Sequence, residues 1–274
     1  MGRTGFNRNG FAYVLPLAVI MLVAFDVPIL LMLRTSFAPS WTMANYQHLI
    51  EQEVYLKVLL STFKVAAITT FCSALLGYPV AYWMTRLSPT RRLVAMAFVV
   101  IPFWVSVLVR SYAWIVLLGN AGIVNRALLS LGVIDQPIAL MYNELGVIIG
   151  MTNILIPFMV LPLYAAMTKL DRRLLQAAAT LGGSDVQTFW MVFFPLTLPA
   201  LAASTLLVFI SAIGFYITPA LLGGGRVSMI ANVLDVLINK MPSWELAAAI
   251  STVLLAASLA LYAVYRRVAP HSGM

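Results

Sequence analysis

Six runs of about 20 apolar residues punctuate this sequence, and a run of that length spans the roughly 30 Å hydrocarbon core of a bilayer as one α-helix. They lie at about 11 to 33, 59 to 84, 93 to 118, 143 to 166, 196 to 219 and 244 to 265. Composition points the same way, with 62% hydrophobic and 9% charged residues where a soluble domain carries roughly a quarter charged. The predicted fold class is an all-α integral membrane protein with six transmembrane helices. The first run, Phe11 to Leu33, has no small-residue cleavage site of the signal-peptide kind, so it is expected to stay as a helix.

Six crossings bring both termini to one side, and charge selects the side. The N-terminal tail (Arg3, Arg8), the second-to-third connection (Arg86, Arg91, Arg92), the fourth-to-fifth connection (Lys169, Arg172, Arg173) and the C-terminal tail (Arg266, Arg267) hold ten of the seventeen Lys and Arg. Of the nine acids they hold only Asp171 and Asp185, so this side carries the whole net charge of +8 and the rest of the chain sums to zero. The positive-inside rule therefore places both termini in the cytoplasm. Because the basic residues sit scattered at the ends of apolar runs, the charge does not indicate nucleic acid. The opposite connections, about 34 to 58, 119 to 142 and 220 to 243, are longer and mixed in character. In one of them, RVSMIANVLDVLINK (226 to 240), Met229, Val233, Val236 and Leu237 share a helical face, as in an interfacial helix.

Several chemistries are missing from the sequence. Cys72 is the single cysteine, which rules out an intrachain disulfide or a cysteine metal cluster. His48 and His271 lie outside the spans with no nucleophile or metal-ligand constellation beside them, so catalysis is not expected. There is no Gly-x-x-x-x-Gly-Lys-Ser/Thr phosphate loop, so any ATP hydrolysis belongs to a partner. An autonomous secondary transporter, the competing class, would normally show buried carboxylates in discontinuous, often repeated helices, and no internal repeat is evident.

The most explicit local grammar lies between the fourth and fifth runs, in DRRLLQAAATLGGSDVQTFWMVFFPLTLP (171 to 199). Asp171 can cap a first helix whose apolar face is Leu174, Leu175, Ala178 and Leu181. Gly182 and Gly183 can end it, and Ser184 with Gln187 fits a capping box for a second helix. An amphipathic loop lying on the membrane would share this pattern.

The loop resembles the signature loop of the permease subunits of ABC importers, Glu-Ala-Ala, a glycine four residues on, and Ile-x-Leu-Pro ten residues later. The matching positions are Gln176-Ala177-Ala178, Gly182 and Val192-Phe193-Phe194-Pro195, with Gln176, Val192 and Phe194 departing from the pattern. The resemblance implies a coupling helix that sits in a cleft of a cytoplasmic ATPase, a role carried to Gln176, Ala177, Ala178, Gly182 and Asp185. It extends over about Tyr55 to Arg266, where LGYPVAYWMTR, PFWVSVLVRSYAWIVLLG and GFYITPALLGG look like the polyamine-type (spermidine/putrescine) branch. Related branches carry iron, sulfate, opines or amino-phosphonates on the same scaffold.

From the resemblance follow a type I ABC importer permease fold and a multi-pass place in the bacterial inner membrane. Its implied segments are a cytoplasmic tail at 1–10, a first transmembrane helix and periplasmic loop at 11–54, and the importer-type transmembrane domain at 55–266 with its coupling loop at 169–195. A second cytoplasmic tail covers 267–274. The implied partners are two ATPase subunits using ATP and Mg, a second permease subunit (a paralogue in this branch), a periplasmic substrate-binding protein and membrane lipid. The chain itself binds no cofactor, metal or nucleic acid on this reading.

Charged groups at membrane depth cost several kcal/mol and are functional suspects by default. At about 1.5 Å per residue, Asp26 lies roughly 22 Å and Arg110 about 25 Å from the inner ends of their helices, towards the outer face. Lys64 and Glu144 are also near outer ends, where snorkelling would explain them, and Arg110 and Glu144 could instead pair inward. A cationic cargo would favour carboxylates and aromatic faces. The candidates for the path or gate are Trp104, Arg110, Glu144, Tyr216, Pro219 and Asp235, with Trp114 and Trp244 expected as interfacial anchors. Pro102, Pro157, Pro162 and Pro219 free backbone groups that are tolerated only beside protein or water, and the segment around Pro219 is expected to line the outer gate.

Overall fold

The computed structural model describes residues 8–39 and 41–268; Arg3, His271 and most of the two terminal tails lie outside the described residues. The regular structure of the described residues is all helical, with no strand. In chain order the helices are α1 (Arg8–Met21), α2 (Val27–Ser36), α3 (Ala44–Glu51), α4 (Glu53–Arg86), α5 (Pro89–Trp104), α6 (Val107–Leu118) and α7 (Ile123–Ser130). There follow α8 (Glu144–Thr168), α9 (Arg172–Thr180), α10 (Asp185–Thr188), α11 (Phe194–Ile213), α12 (Ile217–Leu222), α13 (Ile230–Asn239) and α14 (Trp244–Val268). Two π-helical turns, Leu22–Asp26 and Phe189–Phe193, join α1 to α2 and α10 to α11.

Among the described residues, six stretches are long and apolar enough to cross a membrane: Val14–Ser36, Glu53–Arg86, Val107–Ser130, Glu144–Thr168, Asp185–Ile213 and Trp244–Arg267. Two differ from the sequence expectation. The third expected run, 93 to 118, is broken where Val105 and Ser106 take extended backbone angles. Pro102 removes a helical donor just before the break, and Ser106 starts a new helix through the Arg110 N–H to Ser106 C=O bond. At 16 and 12 residues, α5 and α6 rise only about 24 and 18 Å, so each alone falls short of the roughly 30 Å hydrocarbon core. The fifth run does not reach 219. α11 ends at Gly214, and the chain restarts at Ile217 with Pro219 in the first turn, where its missing N–H costs nothing. The first and third of the long connections carry α3 and α13, neither of them a span, while α7 falls within the stretch Val107–Ser130.

The chain divides into two compact units, one comprising Met1–Glu53 with Leu234–Ala257 and the other Val54–Val233 with Ser258–Met274. In the smaller unit, the Asn45 side chain donates to the carbonyls of Ser36 and Ala38, and the Ser36 hydroxyl bonds the Tyr46 hydroxyl at 2.8 Å, closing the turn from α2 into α3. None of the most apolar window of Val14–Ser36 is buried, so this helix presents its whole circumference to lipid or to another chain.

The larger unit is built around α8, whose apolar window is 56% buried, the largest share of any span. It starts on Asn143, whose side chain accepts from the Gly146 N–H at 2.9 Å, and packs against α11, α5, α6 and α12. α4 crosses it at Gly77, where a Cβ would lie 2.8 Å from Met159 Cγ, so only glycine lets the two backbones come so close. Lys64 meets Glu144 near the start of α8, and Gly77 meets Met159 further along, so α4 and α8 run in the same direction.

Candidate coupling and gating sites

Between α8 and α11 the backbone follows the grammar of the sequence closely. The Asp171 carboxylate accepts from the Arg173 N–H at 2.9 Å and starts α9. Gly182 has φ +86°, its N–H donates to Ala179 O at 3.0 Å, and the Gly183 N–H reaches back to Ala178 O at 3.1 Å. This is a Schellman C-cap, which satisfies carbonyls that the last helical turn would otherwise leave unpaired. Ser184 and Gln187 then form a reciprocal capping box: the Gln187 N–H donates to Ser184 Oγ at 3.3 Å, and the Ser184 N–H donates to Gln187 Oε1 at 2.9 Å. The two helices thus meet at a bend fixed on both sides.

The fixed loop holds apolar residues away from its own chain. Leu181 is 88% exposed, and Leu174 and Val186 are also exposed, while Leu175 and Ala178 are half-buried. Gln176, Ala177 and Asp185 face outward with them. A capped, exposed helix of this kind can move as a body when pushed, where an irregular loop would absorb the displacement.

Downstream, the π-helical turn anchors the loop to α4. Tyr82 lies edge-on to Phe189 at 5.0 Å and packs on Phe193 at 4.9 Å, Tyr78 meets Phe194 at 5.7 Å, and the hydroxyls of Tyr78 and Thr197 bond at 2.8 Å. Sequence reasoning placed Phe193 and Phe194 in the family pattern but did not single out Tyr78, Tyr82 or Phe189. Their signal was the aromatic pairing at i and i+4 in both segments, Tyr78 with Tyr82 and Phe189 with Phe193, which puts each pair on one helical face.

The other group of candidates divides. Glu144, in the first turn of α8, accepts from Lys64 Nζ at 2.8 Å through Oε2, so its ion-pair partner is Lys64 rather than Arg110. Its Oε1 is enclosed without a hydrogen-bond partner, as are Nε and Nη1 of Arg110 on α6. Tyr216 and Pro219 sit on the short segment that restarts as α12, which packs against both α6 and α8. A buried hydroxyl pair, Ser111 with Thr218 at 3.2 Å, joins α6 to α12, and the Tyr142 N–H donates to Leu222 O at 2.9 Å. The Tyr216 carbonyl accepts from the Asn232 side chain at 3.1 Å, and the Ile230 N–H donates to Thr62 Oγ1 at 2.8 Å.

Arg110, Glu144, Tyr216 and Pro219 therefore lie on interlocked elements of the larger unit, with Pro219 buried and Tyr216 exposed at 41%. Trp104 stands apart at the end of α5, 84% exposed. Asp235 belongs to the smaller unit, where its carboxylate accepts from Asn239 at 2.8 Å. With α8 rising about 1.5 Å per residue over 25 residues, the Glu144 end is separated from the α9–α10 loop by most of a bilayer. Among the described residues, no group of three or more His, Cys, Asp or Glu could hold a metal ion.

Comparison with known proteins agrees with this geometry. Residues 73–272 match the family model described as the binding-protein-dependent transport system inner membrane component. The chain is 38% identical over 254 residues to the spermidine/putrescine transport system permease protein PotB of Haemophilus influenzae, covering 88% of this chain and 87% of that one. To the protein of the same name in Escherichia coli it is 37% identical over 250 residues, covering 88% and 90%. A putative 2-aminoethylphosphonate transport system permease protein of Salmonella choleraesuis, PhnU, is 24% identical over 235 residues, covering 84% and 81%. A crystal structure of a bacterial alginate ABC transporter, in complex with an alginate pentasaccharide-bound periplasmic protein, superposes with a TM-score of 0.82 at 15% identity, covering 95% of this chain and 93% of that one.

Proposed function

Since the chain belongs to the family of binding-protein-dependent transport system inner membrane components, and is a permease subunit of an ABC importer, we propose that its cargo is a polyamine of the spermidine/putrescine class. The observation that carries this reading is the likeness to spermidine/putrescine permeases along nearly the whole chain, well above the likeness to the amino-phosphonate permease. The chain forms half of a pathway through the bacterial inner membrane, with both termini in the cytoplasm, and a second permease subunit, a paralogue, forms the other half. A periplasmic binding protein delivers the polyamine, and two ATPase subunits consume ATP and Mg.

The mechanism follows from the two ends of the larger unit. Closure of the ATPase dimer displaces the capped helix that carries Gln176, Ala177 and Ala178, with Gly182 and Asp185 at its bend. The Tyr78/Tyr82 aromatic contacts pass that displacement to α4. At the other end, the α12 segment with Tyr216 and Pro219, held to α6 beside Arg110 and to α8 behind Glu144, closes or opens the outer mouth. Gln176 stands where the family pattern has a glutamate, so the ATPase contact here uses a neutral amide as donor and acceptor.

The test is uptake into proteoliposomes of the assembled transporter, with the binding protein outside and ATP inside. ATP-dependent accumulation of labelled spermidine is expected. Uptake of an anionic solute such as 2-aminoethylphosphonate without polyamine uptake would overturn the cargo, and uptake by this chain alone would overturn the division of labour.

A further inference from the structure

At the basic end of the larger unit a pocket of about 920 Å³ opens between the end of α4, the first turn of α5 and the α9–α10 loop. Arg86, Ser88 and Arg92 line one part of its wall, and Gln176 and Asp185 another. Arg92 is pinned, its Nη2 donating to Leu87 O at 2.9 Å, yet its Nε is buried with no hydrogen-bond partner. The Arg86 guanidinium sits 4.5 Å from the Tyr82 ring centroid and donates to the Tyr82 hydroxyl, a stacked placement that leaves the side chain exposed. Among the described residues neither arginine has a carboxylate within ion-pair distance. The Ser88 hydroxyl makes no cap bond to α5, and behind Pro89, which has no N–H, the Thr90 and Arg91 N–H groups have no intrahelical acceptor.

Two positioned guanidinium groups, an unused hydroxyl and an uncapped helix start suit one kind of ligand, a tetrahedral oxyanion. We propose that this pocket holds the phosphate of an anionic phospholipid from the leaflet at this end of the chain. The surroundings favour lipid over a soluble anion. Arg86 is the last residue of a membrane-spanning helix, and Trp83, Trp190 and Met191 on the neighbouring turns are exposed apolar groups against which acyl chains can lie. Basic pockets between transmembrane helices are suited to such headgroups. The lipid would tie the α4–α5 turn to the coupling loop, making the loop's position sensitive to the charge of the membrane.

The test uses the purified full-length chain in detergent, with the thermal unfolding midpoint titrated by phosphatidylglycerol and, separately, by phosphatidylcholine. Saturable stabilisation by phosphatidylglycerol alone is expected. The double variant R86Q/R92Q should weaken it by about 25-fold, at about fivefold per guanidinium near an anionic headgroup. The variant R91Q removes the same charge from an exposed neighbour off the pocket wall and should weaken the titration clearly less than R86Q does. An equal loss in R91Q would reduce the effect to general surface charge and overturn the proposal. If millimolar inorganic phosphate stabilised the chain equally and competed with the lipid, the site would belong to a soluble anion and the lipid assignment would fall. Should the double variant not fold, R86Q alone, at an exposed position, is expected to weaken the titration about fivefold, and an unchanged affinity would overturn the proposal.

Discussion

Lys64 Nζ and Glu144 Oε2 lie 2.8 Å apart, an ion pair between α4 and the first turn of α8 spanning 80 residues of sequence. The partners are unequally placed. Lys64 is 61% exposed and its stem can carry an unpaired ammonium to the headgroups, whereas Glu144 already has one oxygen enclosed without a partner. Replacing Lys64 by methionine orphans the worse-placed charge and is expected to destabilise more than Glu144→Gln. A double-mutant cycle on unfolding in detergent should give a coupling of about 0.5–1 kcal/mol, in the range of exposed pairs. Strict additivity would show that the pair contributes nothing.

Gly182 is held by its backbone, not by crowding: φ is +86° and no heavy atom lies within 4 Å of where a Cβ would stand. Side-chain size should therefore matter less than tolerance of the left-handed region, which costs an ordinary residue roughly 1–2 kcal/mol and asparagine less. ATP-driven uptake and co-purification with the ATPase are expected to fall in the order Gly, Asn, Ala, Val, with Val lowest because a β-branched residue tolerates positive φ least. If Asn were as damaging as Val while Ala were harmless, the C-cap would not be what the position provides.

The loop was the part of the molecule most legible in the sequence, because its information is local. Asp171, the Gly182-Gly183 pair and the Ser184/Gln187 box each act within four residues, and caps can be read at that range. The six spans were legible for the same reason, since bilayer thickness sets a length that composition reveals. Breaks inside spans were legible only through Pro102 and Pro219, which flank them. The ends themselves, at Ser106 and Gly214, lie in largely apolar runs, and both residues are exposed. The pairings of Lys64 with Glu144, Ser111 with Thr218, and Tyr82 with Phe189 and Phe193 join residues about 80 to 111 apart, and no single sequence encodes which of several plausible partners will meet. Asp235 shows a local bond instead: its carboxylate accepts from Asn239 one helical turn away.

The capping box gives a sharper local test. Ser184→Ala removes the acceptor for the Gln187 N–H and is expected to cost about 0.5–2 kcal/mol of local stability. Because α10 has only four residues, that loss should appear as faster amide exchange confined to 185–188 and the bend. Gln187→Glu keeps the reciprocal bond and adds a negative charge near a helix N-terminus, so exchange there should slow or stay the same. Faster exchange in both variants would mean that the bend is held from elsewhere.

Ser111 and Thr218 are both fully buried, and their 3.2 Å hydroxyl contact is the polar link between α6 and the α12 segment. Thr218→Val preserves shape but strands the Ser111 hydroxyl, at about 1–3 kcal/mol for an unsatisfied buried group. Ser111 can turn back to a carbonyl of its own helix, which places the expected loss at the lower end of that range. Combining Thr218→Val with Ser111→Ala removes both polar groups, so the double variant should recover part of the stability lost by the single one. The same cycle bears on gating. If α12 moves against α6 during transport, the apolar pair will slide with less resistance, and ATP hydrolysis without cargo should rise in the assembled transporter although the fold is intact. Restored stability with unchanged basal hydrolysis would mean that α6 and α12 move as one body, and the outer gate would then have to open at another contact of that body, such as the Tyr142 N–H to Leu222 bond.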